Sequence, residues 1–216
     1  MFDPNTFSTE SVTSFKAEGW EDNRFRLPVP GTKCVGVIEK LDHGKEWTRD
    51  GKTYMGLAVT LRSTQPAGIT ASGYLNSQPR PYGNKVSALE DLIQVSGVEF
   101  DGNLTNRAIA EIIAEIHRDQ IPIGFDITWE GYCNSLFELT LMTATDTNSI
   151  DEAKQIADAE QVKEARKAAK FTASQFRVNG KYESSIECEQ TGQTVRARTI
   201  IRNLLRADDV DDQLGG

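Results

Sequence analysis

KEWTRDGKTYMGLAVTLR, residues 45–62, places large apolar side chains on one face of its second half and small or polar ones on the other. Apolar residues occupy every second position from 55 to 61, a period typical of a β-strand with one buried face. Asp50-Gly51 precedes this strand, and the dipeptide tolerates the positive φ angles of a tight hairpin turn. The segment therefore predicts a hairpin whose outward face combines cations with aromatic rings, namely Trp47, Arg49, Lys52, Tyr54 and Arg62.

The composition is that of a globular protein. The chain has 216 residues, 38% of them hydrophobic, enough for one medium domain with an appendage or for two small domains. No run reaches the roughly 18 apolar residues of a membrane helix. The first residues, MFDPNTFSTESV, lack the basic start and the apolar stretch of a signal peptide. We therefore expect a cytoplasmic protein with no membrane partner.

The net charge of −8 is unevenly distributed along the chain. Residues 31–62 hold six basic and four acidic residues, and residues 151–207 hold eleven basic and eight acidic ones. Residues 63–150 hold four basic and eleven acidic residues, and the chain ends in DDVDDQLGG. Because binding of an anion depends on where positive charge is concentrated, the acidic total is compatible with a nucleic-acid partner.

The cysteines and histidines form no recognisable metal or catalytic pattern. Cys34, Cys133 and Cys188 are far apart and odd in number, which favours buried thiols over a disulfide framework or a four-cysteine zinc site. The two histidines, His43 and His117, argue against a histidine-based triad or metal centre. The sequence has no phosphate-binding loop and no nucleophile elbow. We predict no catalytic residues, no metal and no cofactor, and hence a protein that is not an enzyme.

Five predicted strands and a helical insertion follow a polar N-terminal arm. Strands are predicted at residues 32–41, 52–62, 68–76, 121–130 and 135–143, and helices at about 86–95 and 105–117. Trp129 shares its register with Ile123, Phe125 and Ile127, so we expect the core to contain it. Three strands, a helical insertion and two more strands is the element order of the five-stranded OB barrel.

The C-terminal third predicts an extension of this barrel. Residues 151–170 are rich in alanine, acidic at the start and basic at the end, which predicts one largely solvated helix. Asn179-Gly180 and Thr191-Gly192 predict a short hairpin, and VRARTIIRNLLR at 195–206 fits either a strand or a helix. The expected fold is mainly β with helical insertions (α+β), divided into an N-terminal arm (1–26), an OB-type barrel (27–145), a helix-and-hairpin extension (146–207) and an acidic tail (208–216).

An OB barrel binds single strands when cations contact phosphates and aromatic rings stack on bases of any identity. Tyr54 has the outward register of Lys52 and Arg62, which favours stacking; an ordinary surface tyrosine is the alternative. A solvated face is likewise the alternative for the arginines near the C-terminus. The candidate nucleic-acid-binding residues are Lys33, Lys40, Trp47, Arg49, Lys52, Tyr54, Arg62, Tyr74, Arg80, Tyr82, Lys85, Arg196, Arg198 and Arg202.

The strand order, the KxYxGLxVT pattern of residues 52–60, the helical insertion and the acidic end together resemble phage-encoded single-stranded DNA-binding proteins with an OB fold. The resemblance implies a protein of the host cytoplasm that coats single-stranded DNA without sequence preference during replication, recombination or repair. It also implies that the acidic residues from Asp208 to Asp212 recruit replication or recombination proteins. The sequence leaves homo-oligomerisation open.

A second similarity concerns residues 187–198. Glu187-Cys188-Glu189-Gln190-Thr191-Gly192 is similar to one knuckle of a zinc ribbon, in which a second cysteine would stand at Thr191. Residues 171–179 contain no cysteine pair to complete such a site. We therefore expect no metal here, and the sequence leaves a ribbon-like hairpin without metal open.

Two other classes of function remain open on the sequence alone. A protein-interaction or virion-assembly module would use a β-barrel and its terminal arms to bind other proteins. A metal-dependent nuclease would need at least two converging carboxylates, for which the acidic residues at 90, 91, 99, 101, 111, 115 and 119 are the candidates. Convergence of Lys33, Lys40, Lys52 and Arg62 on the face of Tyr54 would favour nucleic-acid binding.

Overall fold

The computed structural model describes residues 27–42, 45–80, 86–100 and 104–214. The N-terminal arm, Tyr82 and Lys85 lie outside the described residues. The strands are β1 Lys33–Asp42, β2 Glu46–Arg49, β3 Lys52–Gln65, β4 Ala67–Asn76, β5 Ile123–Tyr132, β6 Lys170–Thr172, β7 Arg177–Val178, β8 Lys181–Tyr182, β9 Ser185–Glu187, β10 Thr194–Arg196 and β11 Arg198–Leu205. The helices are α1 Ala88–Ser96, α2 Asn106–Arg118, α3 Asn134–Thr145, α4 Ile150–Ile156, α5 Ala159–Ala168 and α6 Ala207–Leu214, with one 3₁₀ turn at Ala173–Phe176.

Five strands close into a ring. β1 pairs with β3, β3 with β4, β11 with β5 and β5 with β1, all antiparallel. The ring is completed between β4 and β11, which run parallel and meet at Ser72 and Ile200. Along the chain, α1 and α2 lie between the third and fourth ring strands, β4 and β5, as predicted. The expectation of a mainly β fold with helical insertions is confirmed.

The hairpin predicted from residues 45–62 is present as β2 and β3. Asp50 and Gly51 form its turn with φ angles of 53° and 72°, the positive values that a two-residue hairpin turn requires. Along β3, Met55, Val59 and Leu61 are buried while the residues between them are partly or fully exposed, except Gly56, which Tyr74 covers. The alternation therefore faces one side of β3 to the core and the other outward.

The main core fills the ring and extends to the insertion. Ile38, Leu61 and Phe125 from the strands cluster with Leu89 of α1 and Ile113 of α2, and all five side chains are fully buried. α1 starts at Ser87 with a reciprocal capping box to Glu90, and Thr105 caps α2. The apolar faces of these two amphipathic helices thus pack into the main core, as their spacing predicted.

Trp129 is buried, as its register predicted, but in a second cluster separate from the one that contains Ile123, Phe125 and Ile127. Its side chain is 3% exposed and packs edge-on against Phe176 and Tyr182, with ring centroids 6.1 and 5.2 Å away. The indole Nε1 donates a hydrogen bond to the Pro28 carbonyl at 2.8 Å. This cluster joins the end of β5 to the hairpins β7–β8 and β9–β10.

The strand predicted at residues 135–143 is wrong, because this segment forms α3. Leu141 is fully buried against Ala153 and Ala165 of the next two helices. The threonine hydroxyls of the segment are satisfied within the helix, since Thr140 and Thr143 donate to the carbonyls of Leu136 and Leu139. The adjacent residues Leu141 and Met142 both belong to the buried face of the helix. The apparent period of two at Phe137, Leu139 and Leu141 conceals this helical face.

The single helix predicted at residues 151–170 is also wrong. The chain leaves helical geometry at Ala157, and Asp158 then caps α5 through a box with Gln161. Lys170 lies beyond α5, on β6.

The last part of the chain completes the ring. The undecided segment forms β10 and β11, and β11 supplies the fifth ring strand. Residues 208–214 of the predicted acidic tail belong to α6, in which Val210 is fully buried beside Gly124 of β5. The strand that closes the ring therefore comes from the region that the sequence assigned to an extension.

Candidate nucleic-acid interface

Two aromatic rings stand next to each other on the first hairpin. Trp47 of β2 lies directly opposite Tyr54 of β3, and their ring centroids are 6.1 Å apart at a tilt of 36°. Residues directly opposite each other in an antiparallel pair share a face. Both side chains are half-buried, so each ring keeps part of its surface available to a ligand.

Tyr74 of β4 continues this aromatic surface. It lies opposite Ala58, four residues beyond Tyr54 on the same face of β3, and it is 55% exposed. The ring lies over Gly56, where a Cβ atom would overlap with the Tyr74 hydroxyl and ring carbons. We call Trp47, Tyr54 and Tyr74 the aromatic stripe. The Tyr74 ring can take this position only because residue 56 is a glycine without a side chain.

Predicted cations flank the stripe. Lys52 and Arg49 lie opposite each other next to the turn, and Arg62 lies at the far end of the same face of β3. Lys40 lies opposite Thr60 on the neighbouring strand β1. Acidic neighbours accompany these cations: Arg62 Nε is 3.6 Å from Glu39 and Lys40 Nζ is 2.8 Å from Asp42. Exposed ion pairs of this kind contribute only about 0–1 kcal/mol, so a phosphate can replace the acid at little cost.

Other predicted residues lie away from the stripe. Lys33 is at the opposite end of β1 from Lys40 and faces Asp126 of β5. Arg80 follows β4 and donates to Asp91 of α1 at 3.0 Å. Arg196 is exposed on β10 and Arg202 is exposed on β11. The structure thus brings Lys40, Lys52 and Arg62 to the face of Tyr54 and leaves Lys33 elsewhere.

A groove of about 630 Å³ adjoins the stripe where β4 meets β11. The exposed ring of Tyr74 forms one wall, and the opposite wall carries charged side chains from β5, β6 and β11. Gly73 and Ile201 lie at its base, where a Cβ atom on residue 73 would come within 3.3 Å of the Ile201 side chain. The groove is lined by Ala58, Gly73, Tyr74, Glu130, Lys170 and Arg198, among others.

Glu130 joins the two cations of this wall. Arg198 Nη2 donates to Glu130 Oε1 at 2.7 Å, and Lys170 forms an ion pair with Oε2. The Glu130 side chain is 13% exposed, whereas those of Lys170 and Arg198 are 51% and 71% exposed. Burial acts to raise the pKa of Glu130, but the hydrogen bonds from Lys170 and Arg198 outweigh it and hold the pKa below its ordinary value.

Sequence reasoning missed Lys170 and Glu130. Lys170 is the last residue of the basic run ARKAAK, which reads as a helix terminus, and Glu130 is one of several polar residues on the outward face of β5. Their pairing depends on β6 lying beside β5, with Lys170 opposite Tyr132. An acid at an outward strand position is the available signal, but the sequence does not indicate its partner.

Asp101, one of the acidic residues considered for a nuclease, lies outside the described residues, and several of the others have local partners. Glu111 accepts from Arg107 at 2.8 Å, and Asp119 accepts from Arg118 at 2.8 Å. Glu90 caps α1 by accepting from the Ser87 amide. Over residues 27–42, 45–80, 86–100 and 104–214, no group of three or more His, Cys, Asp or Glu side chains is close enough to hold a metal ion.

The zinc-knuckle-like turn is held by hydrogen bonds between protein groups. The Thr191 and Gly192 amides both donate to the Cys188 carbonyl, at 3.1 and 2.8 Å. Thr191 Oγ1 lies 3.4 Å from the sulfur of Cys133, which in turn donates to Gln193 Oε1 at 3.2 Å. Cys133 and Cys188 are both buried free thiols. The turn joins the antiparallel strands β9 and β10 into a short hairpin.

No protein-family model matches this chain, and no curated protein is significantly similar to it. None of the helices in the described part of the chain has both the length and the apolar content needed to span a bilayer.

Proposed function

We propose that this protein binds single-stranded DNA without sequence preference, through the aromatic stripe and the cations beside it. The observation that carries the proposal is the position of Trp47, Tyr54 and Tyr74 on one outward face, with Lys52 and Arg62 at its two ends. Bases of any identity stack on such rings for about 1–3 kcal/mol each, and phosphates contact the cations. The function is binding rather than catalysis.

We interpret the ring as an OB-type barrel. Its five strands, the helical insertion between the third and fourth of them, and the parallel contact that closes it support this interpretation. In OB barrels the strands around the second and third positions bind oligonucleotides, and β3 and β4 take those positions here. A phage-encoded protein of replication, recombination or repair, acting in the host cytoplasm, is the role that this proposal implies.

Fluorescence titration tests the proposal. Trp47 is the half-buried tryptophan beside Tyr54, so stacking of a base on it should quench its emission. We expect oligo-dT to bind with micromolar or higher affinity that falls as salt increases, and a duplex of equal length to bind far more weakly. Absence of binding to either nucleic acid at low salt would contradict the proposal and would favour a protein-interaction or virion-assembly module.

Substitutions in the aromatic stripe test whether single-stranded DNA binds to it. Tyr54→Ala and Tyr74→Ala should each weaken oligo-dT binding by about 1–3 kcal/mol. Arg118→Ala is the matched surface control, because Arg118 is exposed at the end of α2 and pairs only with its neighbours Glu115 and Asp119 among the described residues. An equal loss in the control and in the stripe variants would show that binding is not centred on the stripe.

A further inference from the structure

The groove between β4 and β11 shares Tyr74 with the aromatic stripe. Its ring covers Gly56 of β3, and Tyr74 also lines the groove that extends toward β11. A strand stacked on Tyr74 therefore lies next to the groove that Lys170 and Arg198 also line. The groove volume of about 630 Å³ lies in the range of pockets that accept small organic ligands.

The far wall of the groove presents positive charge in a fixed geometry. Glu130 binds one cation with each carboxylate oxygen, and it is itself largely covered. Lys170 and Arg198 are more than half exposed, and each has N–H donors beyond those that Glu130 binds. The three groups together carry a net charge of about +1, and the acid holds the cations in place for a second anion.

We propose that Lys170 and Arg198 form a phosphate subsite for the nucleotide next to the one stacked on Tyr74. Single-stranded DNA would thus run from the first hairpin along the aromatic stripe and across the parallel contact of β4 with β11. This inference rests on the proposed function and deepens it, because it places residues of the C-terminal region in the path of the strand. Glu130 acts as a positioning residue beneath the two cations.

Salt dependence of oligo-dT binding tests the subsite. Removing one phosphate contact should reduce the magnitude of the slope of log K against log salt by about 0.7 for a single strand. We expect this reduction in Lys170→Gln and in Arg198→Gln, whereas Lys170→Arg should keep the wild-type slope because it keeps the charge. Lys167→Gln is the matched control, since Lys167 lies three residues earlier, is 77% exposed and pairs with Glu164 on α5.

The outcomes distinguish this inference from the proposed function. Oligo-dT binding that depends on Tyr54 but has the same slope in the wild type, Lys170→Gln and Arg198→Gln would overturn the subsite and leave the proposed function standing. A lack of oligo-dT binding by the wild type would overturn both. Each variant leaves Glu130 one cationic partner, and a wild-type far-ultraviolet circular dichroism spectrum would establish that it is folded.

Competition by a mononucleotide distinguishes a binding path for a DNA strand from a pocket for free nucleotides. The same phosphate chemistry could serve dTMP or inorganic phosphate, so both are titrated as competitors of labelled oligo-dT. We expect neither to compete at concentrations near the dissociation constant of the oligonucleotide, because a single subsite supplies only part of the contacts. Competition by dTMP at such concentrations would contradict the path and indicate a separate nucleotide pocket.

Discussion

Gly56 is the residue on which the geometry of the aromatic stripe depends. Tyr74 occupies the space that any larger residue at position 56 would fill. A methyl group there must push the tyrosine ring away from β3 and change the surface on which a base would stack. Strand glycines often mark such a close approach, but sequence alone does not say which side chain approaches.

The substitution Gly56→Ala should therefore weaken oligo-dT binding while leaving the protein folded. We expect a loss of the same order as for Tyr74→Ala, about 1–3 kcal/mol, because both changes remove the ring from its position. The double variant Gly56→Ala with Tyr74→Ala should lose little more than Tyr74→Ala alone, which fluorescence titration can measure. Strictly additive losses would show that Gly56 acts independently of Tyr74.

The lowered pKa of Glu130 predicts how the stability of the fold depends on pH. Its pKa in the folded protein is held below the ordinary value of 4.5 by Lys170 and Arg198, against the effect of burial. A carboxyl with a lowered pKa stabilises the fold above its unfolded pKa, and this contribution is lost as the pH falls through the folded pKa. The wild type should thus be more stable than Glu130→Gln at pH 7, and the difference should shrink below about pH 4.5.

Thermal unfolding of the wild type and Glu130→Gln between pH 3 and pH 7 measures this difference. A gap in melting temperature that is constant over the range would mean that the carboxylate charge of Glu130 does not stabilise the fold.

Helix α3 shows where hydrophobic periodicity fails to predict the type of secondary structure. Residues 135–143 satisfy a period of two through Phe137, Leu139 and Leu141, yet they form a helix that buries Leu141 between α4 and α5. The strands β1, β3, β4 and β5 and the helices α1 and α2 were predictable because one face of each packs on a single core. α3 instead packs on α4 and α5, which follow it in the chain and whose positions in space the sequence alone does not indicate.

Leu141 and Leu139 provide a matched pair of substitutions on this helix. Leu141 is fully buried and Leu139 is 42% exposed. Leu141→Ala should reduce the free energy of unfolding by about 2–5 kcal/mol through the cavity it leaves, and Leu139→Ala by about 0.5 kcal/mol or less. Urea denaturation followed by circular dichroism measures both. A larger effect at residue 139 than at residue 141 would contradict the helical register.

The strand β11 shows a second limit of sequence reasoning. Its pairing with β5 shifts register between Ile201 and Asn203, where Asp126 accepts hydrogen bonds from both the amide and the side chain of Asn203. A bulge of this kind interrupts the alternation that identifies a strand. Residues 195–206 therefore fit a helix or a strand equally well until their partners on β5 and β4 are known.

For the whole molecule, the ring needs chain segments from both ends of the described sequence. β11 connects β5 to β4, and Ile201 and Leu204 of β11 pack on the main core. The aromatic stripe could be predicted in part, since Trp47 and Tyr54 are close in sequence. The groove could not, because Tyr74, Glu130, Lys170 and Arg198 come from four separate strands.

A fragment that ends at residue 145 should consequently fail to form the native ring. Without β11, the paired edges of β4 and β5 are left open, and unpaired strand edges favour aggregation. We expect residues 27–145 to lack cooperative thermal unfolding, whereas the full chain unfolds in a cooperative transition. Differential scanning calorimetry checks this expectation, and a sharp transition in the fragment would show that the ring does not require β11.

The most direct test of the central claim is a titration of oligo-dT against the double variant Tyr54→Ala with Tyr74→Ala, beside the wild type and Arg118→Ala. The aromatic stripe predicts tight, salt-sensitive binding by the wild type and Arg118→Ala, and a loss of about 2–6 kcal/mol in the double variant if the two stacking contributions add. Wild-type affinity in a folded double variant would contradict the claim that single-stranded DNA binds to this face of the ring.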